Sequence, residues 1–273
     1  GPWSWFSVNV VSDDMSPSSV LGNSGWAQGD YIKSVASFST FYGDPNVCDE
    51  DGNCGWGWQG TLSAIDVKKG YKLQLASPNT VEFSGLPADL STAISVVEGW
   101  NWIGYIPQES TEINYALGSI GTNGIYIKGQ TEGFSTYYGD PNVCDENGNC
   151  GWGWQGTLGH MKPGFMYMLQ MGGDADLIYP AASAANYNPG SLTQEEVFDF
   201  DFRQYEFNGS ITAQIDIEDI TVGRNDKLTA YIGSEIRGEV SPMMFTPTNE
   251  YVFPLMVFGS SEEYNELTFE YYN

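Results

Sequence analysis

Basic residues are scarce in this chain: 10 lysines and arginines stand against 35 acids, a formal charge of −25 over 273 residues. Nucleic acid and anionic membranes are held mainly through Lys and Arg, so neither is an expected partner. Histidine is scarcer still, with His160 alone. No His-containing metal motif, nucleophile elbow or Gly-rich phosphate loop is present, and catalysis is not expected. A glycosidase pair among the acids is invisible at this level, because carboxylate separation is a property of the fold. No apolar run approaches the ~20 residues that cross a bilayer, so membrane insertion is not expected. No basic, apolar leader precedes Trp3. Gly1-Pro2 reads as a processing scar, and the chain as a mature or excised piece of a larger protein.

What is abundant is repetition. A 25-residue block, FSTFYGDPNVCDEDGNCGWGWQGTL from Phe38 to Leu62, returns 96 residues later as FSTYYGDPNVCDENGNCGWGWQGTL from Phe134 to Leu158. Two positions differ, Phe41 against Tyr137 and Asp51 against Asn147, while the flanks diverge far more. The four cysteines form two C-x5-C pairs inside these blocks. Of the three possible connectivities, duplication favours the local one, Cys48 with Cys54 and Cys144 with Cys150. Zinc is the rival, but the spacing is wide for it and neither block holds a His. Disulfides imply an oxidising compartment, so the expected location is extracellular or at a cell surface.

The duplication extends past the blocks. Trp3-Ser4-Trp5 opens one copy and Trp100-Asn101-Trp102 the other. Each then offers a short helix, with Ser16 as N-cap and Pro17 at the first helical position, or with Ser110 or Thr111 leading into INYAL. A β-type run precedes each block and an alternating strand follows it: Tyr71-Lys72-Leu73-Gln74-Leu75 in the first copy, FMYMLQM in the second. TVEFSG and ADLIYP read as closing strands. From Val197 the alternation of FDFDFRQYEF, later runs such as KLTAYIG, YVFPLMVFG and ELTFEYY, and a turn signal at Asn208-Gly209 suggest a small sandwich. The expected fold is all-β: a repeat module over 1–98, a second over 99–182, a linker over 183–196, and an antiparallel β-sandwich over 197–273.

Two sets of side chains in each block carry possible chemistry. The oxygen-bearing residues Asp44, Asn46, Asp49, Asp51 and Asn53, matched by Asp140, Asn142, Asp145, Asn147 and Asn149, suit calcium, which takes six to eight oxygens. The register is not that of an EF-hand, and an Asx-rich turn clamped by a disulfide, with no ion, explains the same residues. Trp56 and Trp58, like Trp152 and Trp154, lie two apart and would share one face of an extended strand. Beside Tyr42 or Tyr138 such a pair would make a platform for sugar rings, with Gln59 and Gln155 bonding to hydroxyls. Burial of these tryptophans is the alternative, although Trp3, Trp5, Trp100 and Trp102 read as stronger core candidates.

The Trp-x-Trp openings, the GW-x-G blocks, Gly29-Asp30-Tyr31-Ile32-Lys33 and the Gly-Tyr-Lys-Leu strand resemble repeat modules of large secreted or surface-anchored bacterial adhesion proteins. The segment Asn225-Asp226-Lys227-Leu228-Thr229-Ala230-Tyr231-Ile232-Gly233, followed by Arg237-Gly238, is similar to a small β domain that accompanies such repeats, often in type IX-secreted proteins. The resemblance implies extracellular adhesion to polysaccharide or glycoprotein glycans and brings no catalytic residues. The disulfide-bearing acidic insertion departs from that pattern. The expected function is therefore non-catalytic carbohydrate binding with calcium-supported loops. The alternative is a structural spacer of a giant adhesin or surface filament.

Overall fold

The computed structural model describes residues 2–43, 46, 48, 50, 55–148, 150–181, 200–217, 220–261 and 266–273. The expected linker, 183–196, lies wholly outside them. The fold is all-β, built from antiparallel sheets with a few short helices. Each repeat supplies five main strands in the same order. They are β1 (Trp3–Phe6), β2 (Tyr31–Lys33), β3 (Phe38–Phe41), β4 (Trp58–Gly60) and β5 (Tyr71–Gln74) in the first. The second has β6 (Gly99–Gly104), β7 (Gly124–Lys128), β8 (Phe134–Tyr137), β9 (Trp154–Gly156) and β10 (Met166–Met171). The chain divides into two compact units, Gly1–Gln130 with His160–Leu192 and Thr131–Gly159 with Thr193–Asn273.

In the first unit the strands of repeat one run in the order β1-β5-β2-β3-β4. Alternation sends Ile32, Phe41, Trp58, Tyr71 and Leu73 to one face, where Val20 and Leu21 of helix α1 (Pro17–Leu21) close the core. That helix begins as its sequence dictates. Ser16 Oγ accepts from Ser19 N at 3.2 Å and Pro17 occupies the first turn, where its missing N–H costs nothing. Its terminal carbonyls are met by tryptophans: Trp26 Nε1 donates to Leu21 O at 3.2 Å and Trp58 Nε1 to Gly22 O at 3.1 Å. Buried Asp30 ties the turn before β2 to the end of β5, accepting from Ala27 N at 2.8 Å and Ala76 N at 2.7 Å. Residues 80–85 form no strand. Leu86–Pro87 pairs with Val10–Val11 instead.

Strands β6, β10 and β7 of repeat two belong to the same unit and pair as β1, β5 and β2 do. The two copies interlock through matched backbone bonds. Ser7 N donates to Gly164 O at 3.0 Å, and Gly104 N donates to Lys68 O at 3.0 Å. Both pairs stand at corresponding positions of the repeats. Gln130 adds two bonds to β1, accepting from Trp5 N at 2.8 Å and donating to Trp3 O at 3.0 Å. Between the copies lies Lys72, 0 % exposed, its Nζ 4.4 Å from the ring centroid of Trp5 and 5.0 Å from that of Trp102. An ammonium over indole faces is attracted by the ring quadrupole, the more so when desolvated. Helix α2 (Ile113–Ala116) begins in the INYAL run as expected, but neither Ser110 nor Thr111 caps it. Its cap is Glu112, whose carboxylate accepts from Tyr115 N at 3.0 Å, because Thr111 and Glu112 first pair with Met161 and His160.

The second unit contains the β8–β9 hairpin and the C-terminal strands. These are β11 (Phe207–Ala213), β12 (Lys227–Ile232), β13 (Glu235–Val240), β14 (Met243–Phe245), β15 (Glu250–Gly259) and β16 (Thr268–Tyr272). They form two three-stranded sheets, β11-β15-β14 and β13-β12-β16, around Leu228, Ala230, Val240, Phe253 and Leu255. Gly238 allows the sheets to meet, since a Cβ there would lie 2.0 Å from Met256 O. Two expectations fail here. Asn208-Gly209 is no turn: the pair lies within β11, opposite Phe258 and Val257, with Asn208 buried. Part of FDFDFR is a 3-10 turn over Phe202–Gln204, where Asp201 accepts from Arg203 N at 3.2 Å, and Phe200 and Phe202 both pack on Phe258.

Buried phenols give the first unit a pH limit. Burial pushes Tyr71 and Tyr105 up to about 12 and raises Tyr179 well above the ordinary phenol value. In the unfolded chain phenols titrate near ~10, so the unfolded state loses protons first on the alkaline side. The stability these groups contribute is complete below about pH 10 and is lost as pH rises towards about 12. Denaturant midpoints recorded across that range should fall steadily. A flat profile would show that these phenols ionise as readily in the folded protein.

Candidate functional site

The hairpin of each block is built around a glycine with a left-handed backbone. Tyr42 N donates to Gly57 O at 2.9 Å, Trp56 N to Tyr42 O at 2.8 Å and Gly57 N to Gly43 O at 3.0 Å. The second block repeats this with Tyr138, Trp152, Gly153 and Gly139 at 2.8, 2.9 and 2.7 Å. Gly57 and Gly153 both have φ of +66°, a conformation that costs glycine little. This break in the extended backbone separates the tryptophans expected to share a face. Trp56 is 71 % exposed and Trp58 6 %; Trp152 is 46 % exposed and Trp154 4 %. Trp58 and Trp154 are core residues, held edge-on or tilted against Phe41 and Tyr137 with ring centroids 5.4 Å apart in each block. The two-indole platform is thus corrected to one exposed indole per block, with an exposed tyrosine, Tyr42 or Tyr138, opposite it across the hairpin.

The glutamines bond the main chain at these tryptophans. Gln59 Nε2 donates to Trp56 O at 2.6 Å and Gln155 Nε2 to Trp152 O at 2.7 Å. Each amide has a further N–H and its carbonyl oxygen as hydrogen-bonding groups. Tyr138 also meets Phe245 edge-on at 5.3 Å. An aromatic that sequence reasoning passed over is Phe38, exposed on the same outward face as Tyr42 and stacked on Tyr31 at 5.7 Å. Its counterpart Phe134 is buried. The period-two spacing of Phe38, Thr40 and Tyr42 was the available signal.

Around the cysteines, Asp44, Asp49, Asp51, Asn53, Cys54 and Asn149 lie outside the described residues; Asn46 is exposed. Cys144 is bonded to Cys150, as expected, and Cys48 is also disulfide-bonded. In the second loop Asp140 Oδ1 accepts from Asn142 N at 2.8 Å and Asn142 Nδ2 at 3.0 Å, and Asp145 Oδ1 accepts from Asn147 N at 2.9 Å. These are Asx turns, the local alternative that short polar side chains offer the backbone. Among the described residues no three His, Cys, Asp or Glu side chains gather as a metal site. Of the expected core tryptophans, Trp3 and Trp5 are buried, Trp102 is half-buried, and Trp100 is exposed.

No protein-family model, curated protein or solved structure matches this chain.

Truncating the inner tryptophans should unfold what truncating the outer ones leaves intact. Trp58→Ala and Trp154→Ala remove buried indoles and should each cost about 3–5 kcal/mol. Trp56→Ala and Trp152→Ala should stay within about 0.5 kcal/mol of the parent, as exposed substitutions do. Chemical denaturation of the four single variants measures both; equal losses at inner and outer positions would contradict the assignment.

Proposed function

We propose that this chain is an extracellular, non-catalytic binding module that captures carbohydrate, on polysaccharide or glycoprotein glycans, as part of a larger surface protein. The observation that supports the reading is the presentation of Trp56 and Trp152, exposed at matching positions on hairpins with matching hydrogen bonds. An exposed indole is costly to keep in water unless something covers it, and a rigid aromatic anchor loses little entropy on binding. Sugars present C–H faces to such rings and hydroxyls to amides like those of Gln59 and Gln155. The disulfide between Cys144 and Cys150 is compatible with an oxidising exterior.

Calcium enters as a supporting ion of the acidic loops. Asp140, Asp145 and Glu146 place three carboxylates within seven residues, and a divalent cation would relieve their repulsion. The Asx turns and the disulfide favour a second reading, a stiffened spacer with no ligand of its own, because they shape the loop without an ion.

A glycan array probed with the intact chain, with chelator and with about 10 mM calcium, a concentration suited to extracellular sites, separates the readings. Capture is expected, and Trp56→Ala or Trp152→Ala should weaken the best hit by about 1–3 kcal/mol per engaged site. Calcium should also raise the melting temperature by binding the folded state preferentially. Absence of any glycan signal would favour the spacer, and an identical melt in chelator and calcium would remove the ion from the proposal.

A further inference from the structure

The sheet faces of the two repeats that turn away from their own cores carry the same cross-strand row. In repeat one, Gln74 of β5 stands opposite Trp3 of β1 and Tyr31 of β2. In repeat two, Gln170 of β10 stands opposite Trp100 of β6 and Tyr126 of β7. A lysine completes each row: Lys33 Nζ is 5.0 Å from the Trp3 ring centroid, and Lys128 Nζ is 5.6 Å from that of Trp100. The rows differ in access. Trp3 is buried, whereas Trp100 is 47 % exposed, with Tyr126 edge-on to it at 5.9 Å and Gln170, Tyr126 and Lys128 half-buried around it.

We propose that the Trp100–Gln170–Tyr126 row, with Lys128, is a saccharide subsite separate from the block hairpins, and that it takes a neutral pyranose ring. The indole offers a flat apolar surface, while the amide, phenol and ammonium offer directional hydrogen bonds at its margin. That combination fits a ring with one C–H face and a hydroxyl edge better than it fits a purely apolar ligand. Neutrality follows from the surroundings. Glu98 lies two residues before Trp100, and its backbone N–H donates at 2.9 Å to the carboxylate of Asp174, so two acids stand at the end of the row. They, and the charge of −25, disfavour a uronate or sulfated sugar. Burial lowers the Lys128 ammonium to about 8, which leaves it mainly protonated at neutral pH as a hydroxyl donor.

The inference rests on the carbohydrate reading above, and the test keeps their failures apart. The intact chain is titrated with neutral hexose oligosaccharides and, in parallel, with uronate oligosaccharides of equal length. The titration is repeated for Trp100→Ala, Gln170→Ala and the double variant Trp56→Ala/Trp152→Ala. Neutral oligosaccharides should bind, and Trp100→Ala should lower affinity about tenfold or remove one class of site. Gln170→Ala should weaken binding by a smaller factor, and it provides the decision should Trp100→Ala fail to fold. Unchanged affinity in both row variants, with loss in the double variant, would overturn the subsite while leaving the hairpin reading standing. Loss in the row variants alone would uphold the subsite and refute the hairpins. Tighter binding of the uronates would overturn the neutral assignment, and no binding of either panel would overturn both.

Discussion

The first unit depends on the pairing of its two repeats around a buried ammonium. Lys72 lies on the face of β5 turned away from its own core, where a solvated lysine would be expected, yet it is enclosed by Trp5 and Trp102. Desolvating a charge is expensive, and the indole faces on either side offset part of that cost. The matched bonds from Ser7 to Gly164 and from Gly104 to Lys68 fix the distance at which the tryptophans can do so. The corresponding residue of repeat two is Met168, so a single uncharged chain stands where a second cation would have repelled the first. Divergence after duplication is therefore visible in the core of the pairing as well as at the surface.

The same economy governs the blocks. A near-invariant sequence is explained in part by a hairpin with little freedom: one left-handed glycine, an inner tryptophan that in the first copy also bonds the carbonyl at the helix C-cap, and a glutamine that bonds the main-chain carbonyl of the outer tryptophan. Changing the glycine or the inner tryptophan disturbs the rest of the hairpin. That requirement covers the GWGWQG end of the block. The acidic end, in the second block, is shaped by Asx turns and a disulfide, which constrain fewer side chains, and it is at this end of the sequence that Asp51 and Asn147 differ.

Much of this architecture was legible in the residues. The duplication, the local Cys144–Cys150 pairing, the Ser16-Pro17 helix start and the alternating strand Tyr71–Gln74 all follow from short-range rules. In each misreading a local pattern was overruled by a backbone turn or by a distant partner. Spacing of two implied a common face for Trp56 and Trp58, but only if the intervening glycine stayed extended. Asn208-Gly209 carries a turn signal, but pairing with Phe258 and Val257 absorbed it into a strand. Trp3 and Trp100 occupy equivalent positions with opposite exposure, a difference set by neighbours distant in sequence.

The reciprocal bonds between the repeats have an arithmetic consequence. A contact in which each partner offers the same donor and the same acceptor is isologous, and it is satisfied by two copies. Head-to-tail contacts can be continued indefinitely, but this one closes on itself. A third module appended to the chain would find no vacant Gly164 or Lys68 carbonyl to receive its Ser7 equivalent. A longer array built on this interaction would therefore have to grow by pairs, and its count of modules would be even.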